Sequence, residues 1–189
     1  LPITQFYAID IDNTFPDRIY GGTQDNGTIR TLTGSLNDWQ NILGGDGMYC
    51  LVDHKNPDRI FAEAQWGALY RSTDGGNYFA WIAGQFYSDR KNWMAPYAMH
   101  PYCPDTLYFG TYRIWKTTDG GDQWTAVSGD LTKGDAGSTF HTVTTIDISP
   151  VDPDIVVAGT DDGRVHVSTD AGMSWAAANN GLPDRWITR

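Results

Sequence analysis

An eight-residue phrase that occurs three times does most to limit what this chain can fold into. It spans 72–79, 117–124 and 168–175 and has the form Ser/Thr-Thr-Asp-Gly/Ala-Gly-x-x-aromatic. A carboxylate can accept main-chain N–H bonds within its own turn, a glycine can adopt a positive φ, and an aromatic ring can pack beneath the turn. Each copy therefore predicts a self-contained turn between two antiparallel strands.

A second phrase gives the length of the repeat. It starts with Pro-Asp, continues into a β-rich run, and begins at Pro16, Pro57, Pro104 and Pro153. These prolines stand 41, 47 and 49 residues apart, which fits one four-stranded propeller blade better than one solenoid repeat. The sequence thus indicates four copies of one unit.

Four strands, A to D, are expected in each unit, and the predicted fold class is an all-β propeller of four-stranded antiparallel blades. Strand A precedes Pro-Asp, strand B follows it, strand C leads into the eight-residue phrase, and strand D starts near the final aromatic. Unit one keeps Trp39 but lacks the aligned Asp-x-Gly, so we expect its turn to be made in another way. The predicted units cover approximately 1–43, 44–84, 85–128 and 129–180, and 181–189 would start a further blade.

The eight-residue phrase resembles the Asp-box, or BNR repeat, of sialidases, xyloglucanase-type glycoside hydrolases, the sortilin ectodomain and photosystem II assembly factors. In those propellers the motif has a structural role, so the resemblance implies a fold rather than an activity. It implies structural roles here for the aspartate, the second glycine and the aromatic of each copy: Asp74, Gly76, Phe79, Asp119, Gly121, Trp124, Asp170, Gly172 and Trp175.

The number of blades leaves three arrangements open. Propellers of the resembling families usually have more than four blades, and an open arc of blades leaves sheet faces and edges unpaired. The favoured arrangement is a segment of a larger propeller; the others are two copies that complete an eight-bladed ring and a closed ring of four. The expected partners are accordingly the remaining blades or a second copy of the chain.

Charge and hydropathy exclude some partners. The chain has 13 Lys+Arg against 23 Asp+Glu, a formal net charge of −10, which disfavours binding to a nucleic-acid backbone. No run of 18 apolar residues occurs, so no membrane span is predicted. We expect a secreted, periplasmic or extracellular protein. Cys50 and Cys103 either form one disulfide or remain two thiols.

Ligand-binding residues are expected on the B–C turns and on the crossings from strand D to the next strand A. Aromatic residues there can stack on sugar rings or pack between blades. Asn26-Gly27 and Asp162-Gly163 also fit type I′ hairpin turns, in which both central residues have positive φ. The candidate ligand-binding residues are Gln24, Asp25, Asn26, Asp46, Gln65, Trp66, Trp93, Tyr112, Arg113, Asp161 and Asp162.

No catalytic residue is singled out by its spacing. A glycoside hydrolase needs two carboxylates roughly 5 to 10 Å apart, and Asp25 and Asp161 are only weak candidates. The four histidines fall at unrelated phases of the repeat, so no metal site is predicted, although the Asp- and Gly-rich turns could bind calcium. We expect a non-catalytic binding or scaffold module without a cofactor that presents these loops to a protein or glycan. The alternative is part of a xyloglucanase-like glycoside hydrolase.

Overall fold

A computed structural model describes residues 4–134 and 140–188. Residues 1–3 of the first predicted unit, 135–139 of the crossing into the fourth, and 189 of the predicted further blade lie outside the described residues. The chain divides into two compact units, Leu1–Gly84 and Gln85–Arg189. Each unit holds two four-stranded sheets, which we call blades 1 and 2 and blades 3 and 4.

Sixteen strands and no helix occur in the described ranges. In every blade each strand pairs antiparallel with the next strand in the chain. The predicted all-β chain of four-stranded antiparallel units is confirmed. Blade 1 contains β1 (Phe6–Ile11), β2 (Ile19–Thr23), β3 (Gly27–Thr31) and β4 (Gln40–Leu43); blade 2 contains β5 (Gly47–Val52), β6 (Ile60–Ala64), β7 (Ala68–Ser72) and β8 (Ala80–Trp81); blade 3 contains β9 (Tyr97–Met99), β10 (Leu107–Gly110), β11 (Ile114–Thr117) and β12 (Thr125–Ala126); blade 4 contains β13 (Val143–Ile148), β14 (Val156–Thr160), β15 (Val165–Ser168) and β16 (Ala176–Ala177).

The repeated phrase forms the corner between the third and fourth strands of a blade. In blade 2, Asp74 Oδ1 accepts hydrogen bonds from the Ser72 hydroxyl at 2.8 Å and from the main-chain N–H groups of Asn77 and Tyr78, both at 3.0 Å. The N–H of Gly76, whose φ is 90°, donates to the Ser72 hydroxyl at 2.8 Å. All these bonds lie within the turn. The corner is not wholly self-contained, however, because the Gly75 N–H also donates to the Asp58 carbonyl in the Pro-Asp turn at 2.9 Å.

Blades 3 and 4 repeat this bonding. Asp119 Oδ1 accepts from the main-chain N–H of Gln123 at 3.0 Å. Asp170 Oδ1 accepts from the Ser168 hydroxyl and from the Ser174 N–H, both at 2.8 Å. Hydrogen bonds from Ser174 and then Ser168 lower the pKa of Asp170 to about 2. This carboxylate is therefore ionised at neutral pH and acts as a hydrogen-bond acceptor.

Blade 1 makes the same corner with a carboxylate from the opposite end of the turn. Thr31 pairs with Ile19 as Ser72 pairs with Ile60, so its hydroxyl has the same place in the blade. The Thr31 hydroxyl donates to Asp38 Oδ1 at 2.5 Å, and the Thr33 N–H donates to Asp38 Oδ2 at 3.1 Å. The turn is thus made in another way, as the sequence predicted, because its carboxylate comes from Asp38.

Each unit has its own apolar core. Between blades 1 and 2, Tyr20, Val52 and Ile60 are buried together, and Phe79 packs against them. Gly22 packs so closely against the next blade that a β-carbon added to it would overlap the main chain of Gly47 and Met48. Burial raises the pKa of the Cys50 thiol in the same cluster. Cys50 is a buried free thiol and Cys103 an exposed one.

In the second unit, the core of blade 4 packs on blade 3. Tyr108, Ile146 and Val156 belong to this buried cluster, against which Trp175 packs. A separate aromatic cluster is centred on Phe86, whose ring stacks on Phe109 with centroids 4.2 Å apart and meets Trp124 edge-on at 5.3 Å. Of the final aromatics of the repeated phrase, Trp124 is buried, and Phe79 and Trp175 are partly buried against the cores.

We expect Gly22→Ala to destabilise the first unit by about 2 to 3 kcal/mol. An added β-carbon would overlap the Met48 carbonyl oxygen and the main chain of Gly47. These residues belong to β2 of blade 1 and β5 of blade 2, and neither strand can move away without losing hydrogen bonds in its own sheet. Urea unfolding measures the loss. Gly44→Ala is the matched control, because no atom lies within 4 Å of its added β-carbon; equal stability of the two variants would contradict the packing argument.

Candidate functional site

The B–C turns differ from the predicted hairpins. In blades 1 to 3, three residues lie between the last paired residues of the hairpin, as between Thr23 and Gly27. In blade 4 the last paired residues are Gly159 and Val165, and the Thr160 N–H donates to the Arg164 carbonyl at 2.9 Å, so three residues lie within that bond. Asp25 and Gly27 have φ of 61° and 74° whereas Asn26 does not have a positive φ, and Gly163 is positive at 87° without Asp162. The type I′ predictions are therefore wrong, because a three-residue loop uses separate left-handed residues instead of a two-residue mirror-image turn.

Trp66 and Gly67, in the B–C turn of blade 2, are adjacent residues that both have a positive φ, at 62° and 67°. The backbone pattern predicted for Asn26-Gly27 thus occurs one blade later. Trp66 is exposed on this turn. A non-glycine residue at positive φ is uncommon. The exposed Trp66 indole is therefore attached to a backbone in an unusual conformation.

In the first unit, Asp46 connects two B–C turns. Asp46 Oδ1 accepts from the Asp25 N–H at 2.5 Å, and the Asp46 N–H donates to Gln65 Oε1 at 2.9 Å. The Gln65 N–H returns a bond to the Asp46 carbonyl at 3.1 Å. The carbonyl oxygens of Gln24 and Asn26 accept from the side chains of Asn26 and Asn41, respectively. Gln24, Asp25, Asn26, Asp46 and Gln65 are therefore brought together, beside a surface cavity of about 490 Å³.

In the second unit, Asp161 is a buried structural acceptor. Its Oδ1 accepts from the Thr142 N–H and its Oδ2 from the Thr142 hydroxyl, both at 2.8 Å, and both residues are buried. The two oxygens thus hold the start of β13 against the end of β14. Asp161 was a weak catalytic candidate in the sequence, and both of its carboxylate oxygens accept hydrogen bonds from Thr142.

The neighbouring Asp162 holds the crossing that precedes β13. Its Oδ1 accepts from the Thr160 hydroxyl at 2.5 Å, and its Oδ2 accepts from the Lys133 N–H at 2.6 Å and contacts His141 Nδ1 at 2.9 Å. Burial acts to raise the pKa of Asp162, but the bonds from Thr160, Lys133 and His141 outweigh it, so the pKa lies below its ordinary value. Asp162 is an anionic acceptor at neutral pH.

Arg113 is held by an aspartate that the sequence did not single out. Its Nε and Nη2 donate to the two oxygens of Asp89 at 2.9 and 3.1 Å. Asp89 Oδ2 also accepts from the Trp115 indole N–H at 2.8 Å and the Thr111 hydroxyl at 3.0 Å. Burial opposes the charge of Asp89, yet these bonds give the carboxylate a lowered pKa. The predicted ligand-binding guanidinium is thus part of a rigid bidentate pair.

Two cations lie over the ring of Tyr112. The guanidinium carbons of Arg90 and Arg113 lie 4.9 and 5.1 Å from the centre of its ring. Arg90 also donates to the His141 carbonyl at 2.9 Å. Trp93, in the crossing before β9, is partly exposed. The turn of blade 3 therefore contains a fixed cation–aromatic stack.

A second cavity, of about 320 Å³, lies at the B–C turn of blade 4. We call it the blade-4 cleft, and its lining combines the predicted candidates Asp161 and Asp162 with residues that the sequence reasoning missed: Lys133, Phe140, His141, Asp184, Arg185 and Trp186. The signal that could have found the last three is the phase of 182–187, which places this segment where a strand A begins. The Ile187 N–H donates to the Thr160 carbonyl at 3.0 Å, as the Val143 N–H donates to that of Thr111 at 2.7 Å.

Among residues 4–134 and 140–188, no group of three or more His, Cys, Asp or Glu side chains is placed to hold a metal ion. The same ranges contain no helix long and apolar enough to cross a membrane. The calcium hypothesis stays a prediction.

No known protein family matches the sequence, and no curated protein does. Solved structures match over nearly the whole chain. The GH74 xyloglucanase from Xanthomonas campestris is 19% identical, with 96% of this chain and 31% of that chain covered and a TM-score of 0.71. The GH74 enzyme of Niastella koreensis is 20% identical, with 96% and 31% covered and a TM-score of 0.70. YCF48 from Cyanidioschyzon merolae is 14% identical, with 98% and 59% covered and a TM-score of 0.62.

These likenesses establish the fold. Together with the four four-stranded antiparallel sheets, they confirm the predicted β-propeller. The chain spans less than two thirds of the length of each of these structures. At such low identity the comparison assigns no activity.

We expect Asp161→Ala to cost about 2 to 3 kcal/mol of stability, because it leaves the buried N–H and hydroxyl of Thr142 without their acceptor. Asp161→Asn should cost less, since the amide oxygen still accepts one bond. Chemical unfolding measures both. Asp25→Asn, on an exposed turn, is the control that tolerates the same positive φ; an Asp161→Ala protein as stable as this control would contradict the structural role.

Proposed function

We propose that this chain is a non-catalytic binding or scaffold module of a propeller protein, which contacts a protein or glycan ligand through its B–C turns and crossings. The observation that carries the proposal is the use of carboxylates at these loops. Asp46, Asp89, Asp161 and Asp162 all accept hydrogen bonds that hold loops in place. Such bonding makes a preformed and rigid surface, which reduces the entropy cost of binding.

The same bonding disfavours acid catalysis. A glycosidase general acid needs a raised pKa so that it carries a proton near neutral pH. The pKa values of Asp89 and Asp162 are lowered instead by their hydrogen bonds, against the effect of burial. These two carboxylates can accept from a ligand hydroxyl, but they are poor proton donors.

The alternative function is part of a glycoside hydrolase that acts on a polysaccharide through carboxylates. The observation in its favour is the exposed Asp25, which lies beside the cavity of the first unit. The GH74 neighbours contribute only their fold to this alternative.

We propose that the corners of blades 2, 3 and 4 are Asp-boxes of the BNR type, on the basis of their Asp74, Asp119 and Asp170 hydrogen bonds. We also propose a secreted, periplasmic or extracellular location and a function without a cofactor. The formal net charge of −10 supports the part of the proposal that excludes nucleic acid as a ligand.

We further propose that a propeller blade not contained in this sequence covers the open face of blade 1. Val52 pairs with Ile60 and Ile11 with Ile19, so Ile9 and Ile11 stand where Cys50 and Val52 stand in blade 2. Cys50 and Val52 are buried between blades, whereas Ile9 and Ile11 are 60% and 44% exposed. The comparison with blade 2 therefore supports a neighbouring blade as the partner of the exposed face of blade 1.

Polysaccharides and aryl glycosides test the main proposal. We expect binding of at least one glycan, or capture of a protein ligand, with no turnover by the intact protein, measured by reducing-sugar release and calorimetry. Turnover that disappears in Asp25→Ala, with folding preserved, would establish the hydrolase alternative. Loss of turnover in Asp161→Ala counts only if the stability of that variant is measured as well, because unfolding of the variant would also abolish activity.

The partner of blade 1 is tested by native mass and by a dye that binds apolar surface. We expect a monomer that binds the dye, and a large loss of dye fluorescence in the Ile9→Ser, Ile11→Ser variant, because these side chains form the open face. Val151→Ser, at an exposed A–B turn, is the matched control. A stable dimer that the double substitution dissociates would identify a second copy as the occupant and contradict the proposal.

A further inference from the structure

We propose that the blade-4 cleft binds an uncharged hexose ring of a glycan, with Trp186 as the stacking platform. This inference rests on the proposed binding function and names its site and ligand class. The cleft joins two exposed aromatic rings to paired charges in one open cavity. Each of these features restricts the ligand in a different way.

The aromatic rings call for a ligand with a flat apolar face. Trp186 is 66% exposed and Phe140 is 55% exposed, and their ring centres lie 5.9 Å apart with an interplanar angle of 39°. Large aromatic groups left in water beside polar neighbours are typical of recognition sites. The C–H face of a sugar ring supplies apolar surface of this kind while its hydroxyls remain at the edge.

The charged groups in the cleft carry no excess of positive charge. Lys133 Nζ forms an ion pair with Asp184 Oδ1, and His141 Nδ1 lies 2.9 Å from Asp162 Oδ2. Arg185 and Asp161 add one further group of each sign to the lining. Three carboxylates against Lys133 and Arg185 do not favour an anionic ligand.

Hydroxyl groups suit such a lining because they both donate and accept. A carboxylate accepts several hydrogen bonds, and an ammonium group donates three. Asp162 stays anionic because the bonds from Thr160, Lys133 and His141 lower its pKa in spite of burial. Uncharged polyols can therefore bond to the rim without displacing the Lys133–Asp184 ion pair or the His141–Asp162 contact.

The platform is fixed to the blade by the residue that follows it. The Ile187 N–H donates to the Thr160 carbonyl at 3.0 Å, and the Thr144 hydroxyl donates to the Ile187 carbonyl at 2.5 Å. Gly163, at φ 87°, lies under this segment, where a β-carbon would come within 2.6 Å of Asp184 Oδ1. Trp186 thus extends from an anchored backbone, which favours stacking without reorganisation.

The cavity size limits the ligand to a short part of a chain. At about 320 Å³ it lies at the lower end of the range for small-molecule sites. Such a volume accommodates one or two sugar rings.

Calorimetry with cellohexaose, xyloglucan heptasaccharide and mannohexaose tests the site, with hexagalacturonate as the charged comparison. We expect a neutral oligosaccharide to bind, with at least a tenfold higher Kd in Trp186→Ala and a several-fold higher Kd in Asp184→Asn. Tyr78→Ala removes an aromatic ring that is similarly exposed at a corner of blade 2 and should leave the Kd unchanged. Far-UV circular dichroism checks that every variant is folded.

The outcomes separate this inference from the proposed function. Neutral-glycan binding that survives Trp186→Ala, stronger binding of hexagalacturonate, or binding of none of the four sugars would overturn the blade-4 site. The proposed function would survive any of these if a ligand bound at other loops. It would fail instead on turnover of a polysaccharide by the intact protein.

Discussion

The fold depends on a carboxylate that closes the corner between the third and fourth strands of each blade. Asp74, Asp119 and Asp170 each accept main-chain N–H bonds of their own turn and a hydroxyl from the end of the preceding strand. Blade 1 shows which part of this arrangement is essential. Asp38 reaches the Thr31 hydroxyl from the far end of its turn, so the constraint is the contact between carboxylate and hydroxyl and not its spacing in the sequence.

The loops at the other ends of the strands use the same chemistry over longer distances. Asp46 fastens the Asp25 turn, Asp161 fastens Thr142, and Asp89 fastens Arg113. Many of the acidic residues are thus internal acceptors, which are needed where loops are irregular and their N–H groups lack strand partners. The acidic composition of the chain consequently has a structural reason as well as its effect on partner choice.

The fold could be predicted from the sequence because its main signals are local and repeated. The eight-residue corner and the Pro-Asp turn each recur at the blade period. The loop contacts could not be predicted, since they join residues at different phases of the repeat, such as Asp89 with Arg113 and Asp162 with Lys133. The turn types failed for a related reason: Asn26-Gly27 has the composition of a two-residue turn, but the register places three residues in the loop.

The hydrogen bonds of two loop carboxylates, Asp89 and Asp162, bear on whether these groups can act in acid catalysis or only accept hydrogen bonds. Full hydrogen bonding of Asp89 and Asp162 stabilises their anions, and this lowers the pKa that a general acid would need to have raised. At Asp89 and Asp162, the bonds that hold the loops therefore leave hydrogen-bond acceptors and not proton donors. Under the proposed binding function, specificity would reside in these loops, because every blade uses the same contact between a carboxylate and a hydroxyl at its corner.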